Sequence, residues 1–359
     1  MQADLASIAD AGFNAIRTWD LPPDWVLTAA ASNGLSVLAG LGAPTEGDFG
    51  NAAFVDHAVA AVRTAVARAA LHPNILGYLV LNEAKPESVV AAGEAAFTEY
   101  VARLVRATRE TDPRRPVSYA VWSTSLNSAP TGVIDFVSCN LYGHDCGRVR
   151  ANIGFDGYLE WVKSGHSLPL LVTEFGYSVS PEGQGGYGYG GNTRMEQAAG
   201  IAREWELIAG HALGGFCFEY CDENWKAGSP ERKDPHAEEW FGLWSTTPQD
   251  AVARPRPVVR ALSEAFQLTV VEPRDMCRAA CGKMRLLVNS WPQTTVVEYR
   301  ISYGPWTPLP RMSGDWCATE MDTARLAGQE LLVEFRSTAP DGTRQHRERH
   351  VWIYDQVPP

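Results

Sequence analysis

The amino-acid sequence predicts an α/β fold: a (β/α)8 TIM barrel whose first strand is missing, followed by a small C-terminal all-β sandwich. Two patterns carry this prediction. Helical and strand patterns alternate like βα units through most of the chain, whereas strand-like runs follow one another without helices near the C-terminus. A chain of 359 residues with 45% apolar content can hold a barrel and a small module. We place the barrel in residues 1–272 and an Ig-like sandwich in residues 273–359, because the pattern changes at Pro273.

The barrel strands are predicted from short apolar runs of the kind that parallel sheets bury on both faces. The helices are predicted from apolar residues at helical spacing and from terminators such as Gly34. Strands are expected at 14–19, 35–41, 75–83, 116–122, 134–142, 170–174 and 214–220, and helices at 4–10, 24–33, 52–70, 95–110, 155–163, 194–209 and 258–266. In the sandwich, strands are expected at 284–288, 295–301, 331–335 and 350–354.

The strand count stops at seven, although a closed barrel of this type needs eight. The missing strand is the first, because the chain opens on a helix that should follow it. An uncovered sheet edge invites aggregation. We therefore expect either an upstream segment that supplies the strand, or a loop or strand of the C-terminal module that covers part of the gap.

Composition excludes several classes of function. The net charge of −11 and the pI near 5.3 argue against nucleic acid or an anionic membrane surface as partner. No apolar stretch reaches the roughly 18 residues of a transmembrane helix, and the N-terminus lacks the features of a signal peptide. A neutral substrate is compatible with this charge, and the oligomeric state is left open.

The seven cysteines are not arranged at metal-binding spacings, so we expect neither a metal site nor a cofactor. Cys277, Cys281 and Cys317 have the potential to form one disulfide in the C-terminal module. Such a bond would favour a secreted or periplasmic location, because disulfides persist in oxidising compartments.

Two glutamates stand at the ends of predicted strands. Glu83 follows the apolar run 75–82, and Glu174 follows the run 170–173. The carboxyl ends of barrel strands carry the active sites of TIM-barrel enzymes, and paired carboxyl groups are the usual means of cleaving glycosidic bonds. One group must donate a proton while the other attacks as an anion, so their environments must differ.

Three segments resemble retaining glycoside hydrolases of clan A: residues 12–19 (GFNAIRTW), 77–83 (GYLVLNE) and 171–176 (LVTEFG). The resemblance covers roughly residues 4–268. A second set of landmarks is most similar, in its order and spacing, to bacterial β-glucanosyltransferase barrels related to family 2 and family 17 enzymes. These landmarks are residues 17–19 (RTW), 21–23 (LPP), 72–73 (HP), 82–83 (NE), 139–142 (CNLY) and 222–223 (DE).

The resemblance implies roles for individual residues. Glu83, at the end of the fourth strand if the missing one is counted, would be the general acid/base, and Glu174, at the end of the seventh, the nucleophile. Asn82 would bind a sugar 2-hydroxyl, Arg17 would stabilise the negative charge of Glu174, and Tyr142 would donate a hydrogen bond to it. The further predicted substrate-binding residues are Trp19, Trp122, Asn140, Tyr220, Asp222, Glu223 and Trp225.

The chain also departs from these relatives. They carry Trp where this chain has Tyr220, and an extra Asn224 separates Glu223 from Trp225. A loop at 178–193, rich in Gly and Tyr, is interpreted either as a lid on the acceptor side or as a flexible surface loop.

The leading functional hypothesis is a retaining β-glycosidase or transglycosylase that acts on a β-glucan-like oligo- or polysaccharide through a covalent glycosyl-enzyme intermediate. The alternative is a non-catalytic carbohydrate-binding or scaffold protein that has kept the barrel. Turnover of an aryl β-glycoside distinguishes the two hypotheses.

Overall fold

The computed structural model describes residues 1–122, 132–145, 154–165, 167–291 and 296–354. Contacts divide the chain into two compact units: one comprises residues 1–201 and 211–256, and the other residues 202–210 and 257–359. The predicted boundary at residues 272/273 stays a prediction. Within the described residues, every helix is too short or too polar to cross a lipid bilayer.

The first unit contains seven parallel strands in chain order, which form a nearly closed barrel. The strands are β1 (Ala15–Arg17), β2 (Ser36–Gly40), β3 (Ile75–Asn82), β4 (Val117–Trp122), β5 (Val137–Asn140), β6 (Leu170–Phe175) and β7 (Gly215–Cys217). Helix α1 (Gln2–Asp10) precedes β1. The helices between the strands are α2 (Asp24–Ser32), α3 (Ala52–Ala69), α4 (Pro86–Ala92), α5 (Glu94–Thr111), α6 (Gly154–Gly165) and α7 (Arg194–His211), of which residues 202–210 are assigned to the second unit. The predicted fold class is confirmed.

The two edge strands of the sheet are shorter than predicted. β1 and β7 have three residues each, whereas residues 14–19 and 214–220 were expected to be extended. Each of these strands pairs with a single neighbour, so fewer backbone hydrogen bonds fix its conformation. The interior strand β3, which pairs on both sides, reaches Asn82 and delivers Glu83 to the end of the sheet.

The sequence did not predict a short antiparallel hairpin that follows the barrel strands. It consists of β8 (Trp244–Thr247) and β9 (Asp250–Pro255), in a stretch that the sequence presented only as rich in Pro and Arg. Arg256, directly after β9, is buried in the first unit.

In its described residues, the second unit contains two sheets, the helix α8 (Pro257–Gln267) and residues 202–210 of α7. A three-stranded sheet has the order β10-β12-β15, and a five-stranded sheet has the order β11-β17-β16-β13-β14. The strands are β10 (Thr269–Glu272), β11 (Cys277–Ala280), β12 (Lys283–Asn289), β13 (Val296–Ile301), β14 (Thr307–Pro308), β15 (Trp316–Asp322), β16 (Glu330–Thr338) and β17 (Arg344–Tyr354). β12, β13, β16 and β17 are the predicted sandwich strands.

The core of the second unit is formed by apolar residues at alternating positions of these strands. Leu286, Val288, Val333, Phe335 and Ile353 are all buried in one cluster. The disulfide considered for this module is absent, because Cys277, Cys281 and Cys317 are free thiols.

Candidate active site

Glu83 is the first residue after β3, and its backbone is strained. Its φ angle is 43°, in the left-handed region that residues other than glycine rarely adopt. The Glu83 amide donates a hydrogen bond of 2.9 Å to the carbonyl of Ala120 on the neighbouring strand β4. Strain of this kind concentrates at functional sites, because the surrounding structure must enforce it.

Glu174 lies within β6 and is only 6% exposed. Three donors surround its carboxylate: Arg17 Nη1 at 2.6 Å and Trp19 Nε1 at 3.3 Å from Oε1, and the Tyr142 hydroxyl at 2.6 Å from Oε2. Arg17 and Trp19 come from β1 and its end, whereas Tyr142 follows β5. Strands on both sides of the barrel therefore build a setting that complements a negative charge on Glu174.

Two glycines allow the backbone to approach this closely. A Cβ atom on Gly40 would lie 1.9 Å from the carbonyl oxygen of Trp19, and one on Gly176 would lie 2.3 Å from that of Phe218. Either contact would displace the backbone that carries the site. The glycine that follows the Glu174 motif is thus required by close packing.

Asn140 links the two glutamates through one hydrogen-bond network. Its Nδ2 donates to Glu83 Oε1 at 2.6 Å and to Asn82 Oδ1 at 3.1 Å. Arg17 Nη2 donates to the same Asn82 oxygen at 2.5 Å, while Arg17 Nη1 holds Glu174. Because all these side chains are interlocked, the network fixes the position of each carboxyl group relative to the other.

Burial, followed by the negative charge of Glu174, raises the pKa of Glu83 to about 7, against the opposing effects of the Asn140 hydrogen bond and the Arg17 charge. Burial, followed by the charge of Glu174, also raises the pKa of Tyr142 well above its usual value. At neutral pH, Glu83 can therefore hold a proton that it can donate, and Tyr142 remains a hydrogen-bond donor to Glu174.

Two cavities meet at these residues. The larger, here called the cleft, has a volume of about 680 Å³ and is lined by both glutamates together with Trp19, Asn82, Trp122 and Tyr142. The smaller, here called the edge cavity, has a volume of about 320 Å³ and opens between β1 and β7, with Arg17, Glu174 and Tyr220 in its wall. The volume of the cleft is typical of a site for a small ligand.

The family model for the TIM barrel domain of the glycosyl hydrolases family 2 matches residues 1–197, more than half of the chain. The chain belongs to glycosyl hydrolase family 2. The predicted resemblance to a clan A glycoside hydrolase barrel is thereby confirmed. No sequence match to a curated protein is found.

Solved structures of glycoside hydrolases share the fold. A Bacteroides uniformis β-glucuronidase superimposes with a TM-score of 0.59 at 15% identity, over 98% of this chain and 43% of that one. A putative β-galactosidase from Bacteroides fragilis gives 0.56 at 13% identity, over 98% and 51%. GH5_18 from Streptomyces cattleya, in complex with GlcNAc, gives 0.57 at 16% identity, over 78% and 79%. The chain spans less than half the length of the β-glucuronidase.

The family 2 barrel brings most of the predicted site residues together. Trp19, Asn82, Trp122 and Tyr142 line the cleft beside the two glutamates. Arg17 and Asn140 connect the glutamates through hydrogen bonds. Trp122 is also fixed by a hydrogen bond of 3.1 Å from its Nε1 to Asp145. These placements are compatible with the predicted contacts to a sugar.

Tyr220 and Glu223 line the edge cavity rather than the cleft, and Trp225 lines neither. The Tyr220 hydroxyl donates to Asp4 on α1 at 2.9 Å. Glu223 pairs with Lys226 at 3.0 Å, whereas Trp225 is 60% exposed. These positions favour supporting roles over direct contact with a sugar between the glutamates.

Asp222 lies apart from the cleft, in a buried ion-pair cluster. Its carboxylate is fully buried and receives two hydrogen bonds from Arg256, at 2.8 and 2.7 Å, and one from the Gly242 amide. Lys233 pairs with it as well. Asp222 lines neither cavity. Because its carboxylate is bound by Arg256, it anchors the loop after β7 to the segment after β9.

The sequence missed several residues of the cleft wall: His144, Asp145, Tyr189, Lys226 and Glu238. Tyr189 belongs to the loop at 178–193 and donates to Glu238 at 2.5 Å. The abundance of Gly and Tyr in that loop was the available signal. Glu238 could not be found in this way, because its partner Tyr189 lies 49 positions away in the chain. Lys226 lies only three and seven residues from its partners Glu223 and Glu219, but no motif in the sequence marked that cluster.

Proposed function

We propose that this chain is the catalytic barrel of a retaining β-glycosidase or transglycosylase that acts on a β-glucan-like oligo- or polysaccharide. Glu174 attacks the anomeric carbon and forms a covalent glycosyl-enzyme intermediate, while Glu83 protonates the departing oxygen and then activates the acceptor. Membership of family 2 supports the class of reaction.

The observation that carries the proposal is the contrast between the two carboxyl groups. Glu174 accepts hydrogen bonds from the Arg17 guanidinium and two further donors. The neighbouring Glu83 has a pKa raised to about 7. A retaining mechanism needs this division of labour, with one carboxylate charged to attack and one carboxylic acid protonated to donate.

Two aromatic side chains support binding of a second sugar. Trp122 and Tyr189 line the cleft, and both are about 40% exposed. A sugar hydroxyl held on such faces competes with water for the intermediate, which is the step that separates transfer from hydrolysis.

The test is to trap the intermediate. Incubation with an activated 2-deoxy-2-fluoro β-glycoside should add one glycosyl group per chain, and peptide mass spectrometry should place it on Glu174. Product NMR should show retention of the β configuration, and product profiles on β-1,3-, β-1,4- and β-1,6-glucans measure transfer against hydrolysis. The Glu110→Gln variant, which changes an exposed ion pair, is the matched control.

Inverted product would refute the retaining mechanism. A label on a residue other than Glu174 would refute the assigned nucleophile. Binding of glucans without any turnover would favour the non-catalytic alternative.

A further inference from the structure

Lys226 is the more buried of the two lysines that line the cleft, and it packs against aromatic rings. Its Nζ lies 4.0 Å from the ring centroid of Phe218 and 5.3 Å from that of Trp19. The side chain is 7% exposed, whereas Lys85, the other lysine in the lining, is on the surface. A sugar that stacks on Trp19 would therefore meet Lys226 first among the lysines.

Lys226 is already compensated by two carboxyl groups. Its ammonium group donates a hydrogen bond of 2.8 Å to Glu219 Oε2 and lies 3.0 Å from Glu223 Oε2, while the ring of Phe218 lies against it. A carboxylate arriving in the cleft would have to compete with these two acidic partners for the ammonium group.

The cluster of Lys226, Glu219 and Glu223 holds two carboxyl groups for one ammonium group. Burial raises the pKa of Glu219 well above its usual range, whereas the charges of both glutamates offset the effect of burial on Lys226 and raise its pKa. The cluster is neutral when one glutamate is protonated and singly negative when both are ionised. In both of these states it offers no net attraction to an anion.

The remaining charges of the cleft act in the same direction. Glu83 can hold a proton at neutral pH and Arg17 compensates Glu174, so the described lining leaves the carboxyl groups of Asp145 and Glu238 against the exposed Lys85. An excess of negative charge repels an anionic ligand. A sugar carboxylate would thus meet a compensated lysine and a lining with more acidic than basic groups.

We propose that the cleft accepts uncharged β-glycosides and excludes uronic acids, and that Glu219 and Glu223 enforce this choice by neutralising Lys226. The inference rests on the proposed function, and it separates this chain from the β-glucuronidase that shares its fold. Glu219 and Glu223 act through Lys226 and are positioning residues.

The experiment compares ligands that differ only at C6, as a hydroxymethyl group or a carboxylate. The non-hydrolysable probes are 4-nitrophenyl 1-thio-β-D-glucoside and its glucuronide, with the galactoside and galacturonide as a second pair, measured by calorimetry on the full chain. The corresponding O-glycosides report turnover. We expect each neutral ligand to bind at least about tenfold more tightly, since like charges brought together cost more than 1.4 kcal/mol.

The Glu219→Gln/Glu223→Gln double variant should shift the uronide-to-neutral affinity ratio at least about tenfold toward the uronide, because Lys226 then carries a net charge. Glu223→Gln alone serves if the double variant folds poorly, since Glu223 is the more exposed of the two. Glu110→Gln should leave the ratio unchanged, and Lys226→Gln should keep it low.

Tighter binding of the uronides by the unaltered chain, lost in Lys226→Gln, would overturn the inference, as would an unchanged ratio in the folded double variant. Neutral preference without turnover of any O-glycoside would support the inference and refute the proposed function. Turnover that favours uronides would support a glycosidase activity and refute the inference.

Discussion

Two buried charge clusters of the barrel unit have opposite compositions. At the candidate active site, the carboxyl groups of Glu83 and Glu174 share the single guanidinium of Arg17. Around Asp222, one carboxylate is shared by two cations, Arg256 and Lys233. The sequence presents all three acids alike, near the ends of strands, and only their partners separate a reactive site from a structural one.

The ratio of acids to cations explains the difference. With two acids for one cation, burial and repulsion leave Glu83 with a raised pKa and a proton to donate. With two cations for one acid, the Asp222 carboxyl group is held by Arg256 and Lys233 and fixes the loop after β7. The Asp222 cluster, with more cations than acids, therefore has a structural role, whereas the Glu83–Glu174 cluster, with fewer, has a carboxyl group that can donate a proton.

The largest effect is expected at the nucleophile. Glu174→Gln should reduce kcat/KM on the order of 10⁴-fold, because the covalent intermediate cannot form. Azide should partly rescue Glu174→Ala and yield an α-glycosyl azide from a β-substrate. A loss below about 100-fold in Glu174→Gln, measured against Glu110→Gln, would remove Glu174 from this role.

The next effect concerns stability at the opposite cluster. Arg256→Met should lower the free energy of unfolding by about 3 kcal/mol, because it leaves the buried Asp222 carboxylate with only part of its compensation. Urea denaturation measures the change. Arg254→Met, which removes an exposed pair with Asp250, is the control and should cost about 0–1 kcal/mol. Equal losses in the two variants would contradict a structural role for the Asp222 cluster.

The raised pKa of Glu83 should lower the stability of the folded chain at high pH. Its pKa lies near 7 in the folded chain, above its ordinary value of 4.5, so the folded state binds a proton more tightly than the unfolded state does. Stability from this proton is complete below pH 4.5 and is lost as the pH rises through 7. Glu83→Gln should therefore raise the free energy of unfolding on the order of 1–3 kcal/mol more at pH 8 than at pH 4. An equal change at both pH values would contradict the raised pKa.

The smallest effect is a shift in a titration. The activity of the unaltered chain should fall above about pH 7 as Glu83 loses its proton. In Glu174→Gln, the pKa of Glu83 should decrease, because the charge that raises it is gone. Carbon-13 NMR of labelled glutamate carboxyls measures this without turnover. A pKa that stays constant or rises would show that the two glutamates are not coupled.

Local sequence was sufficient for the barrel and for the residues at its mouth. Parallel strands bury both faces, so an apolar run followed by Asn82 and Glu83, or by Glu174, identifies a strand end without reference to the rest of the chain. The sandwich strands β12, β13, β16 and β17 were predicted for a similar reason. The short edge strands, the β8–β9 hairpin and the fate of Cys277, Cys281 and Cys317 depend on neighbours and were not.

The sequence by itself determined which residues have the chemistry for catalysis, and tertiary structure decided which of them use it. Asp222 meets Arg256 across 34 positions, Tyr189 meets Glu238 across 49, and Asn140 meets Glu83 across 57. The charge state of a buried carboxyl group depends on such partners and on its distance from water, and neither is encoded in adjacent residues. Strand ends can be predicted from the chain, but the partners that make Asp222 an anchor and Glu83 an acid exist only after folding.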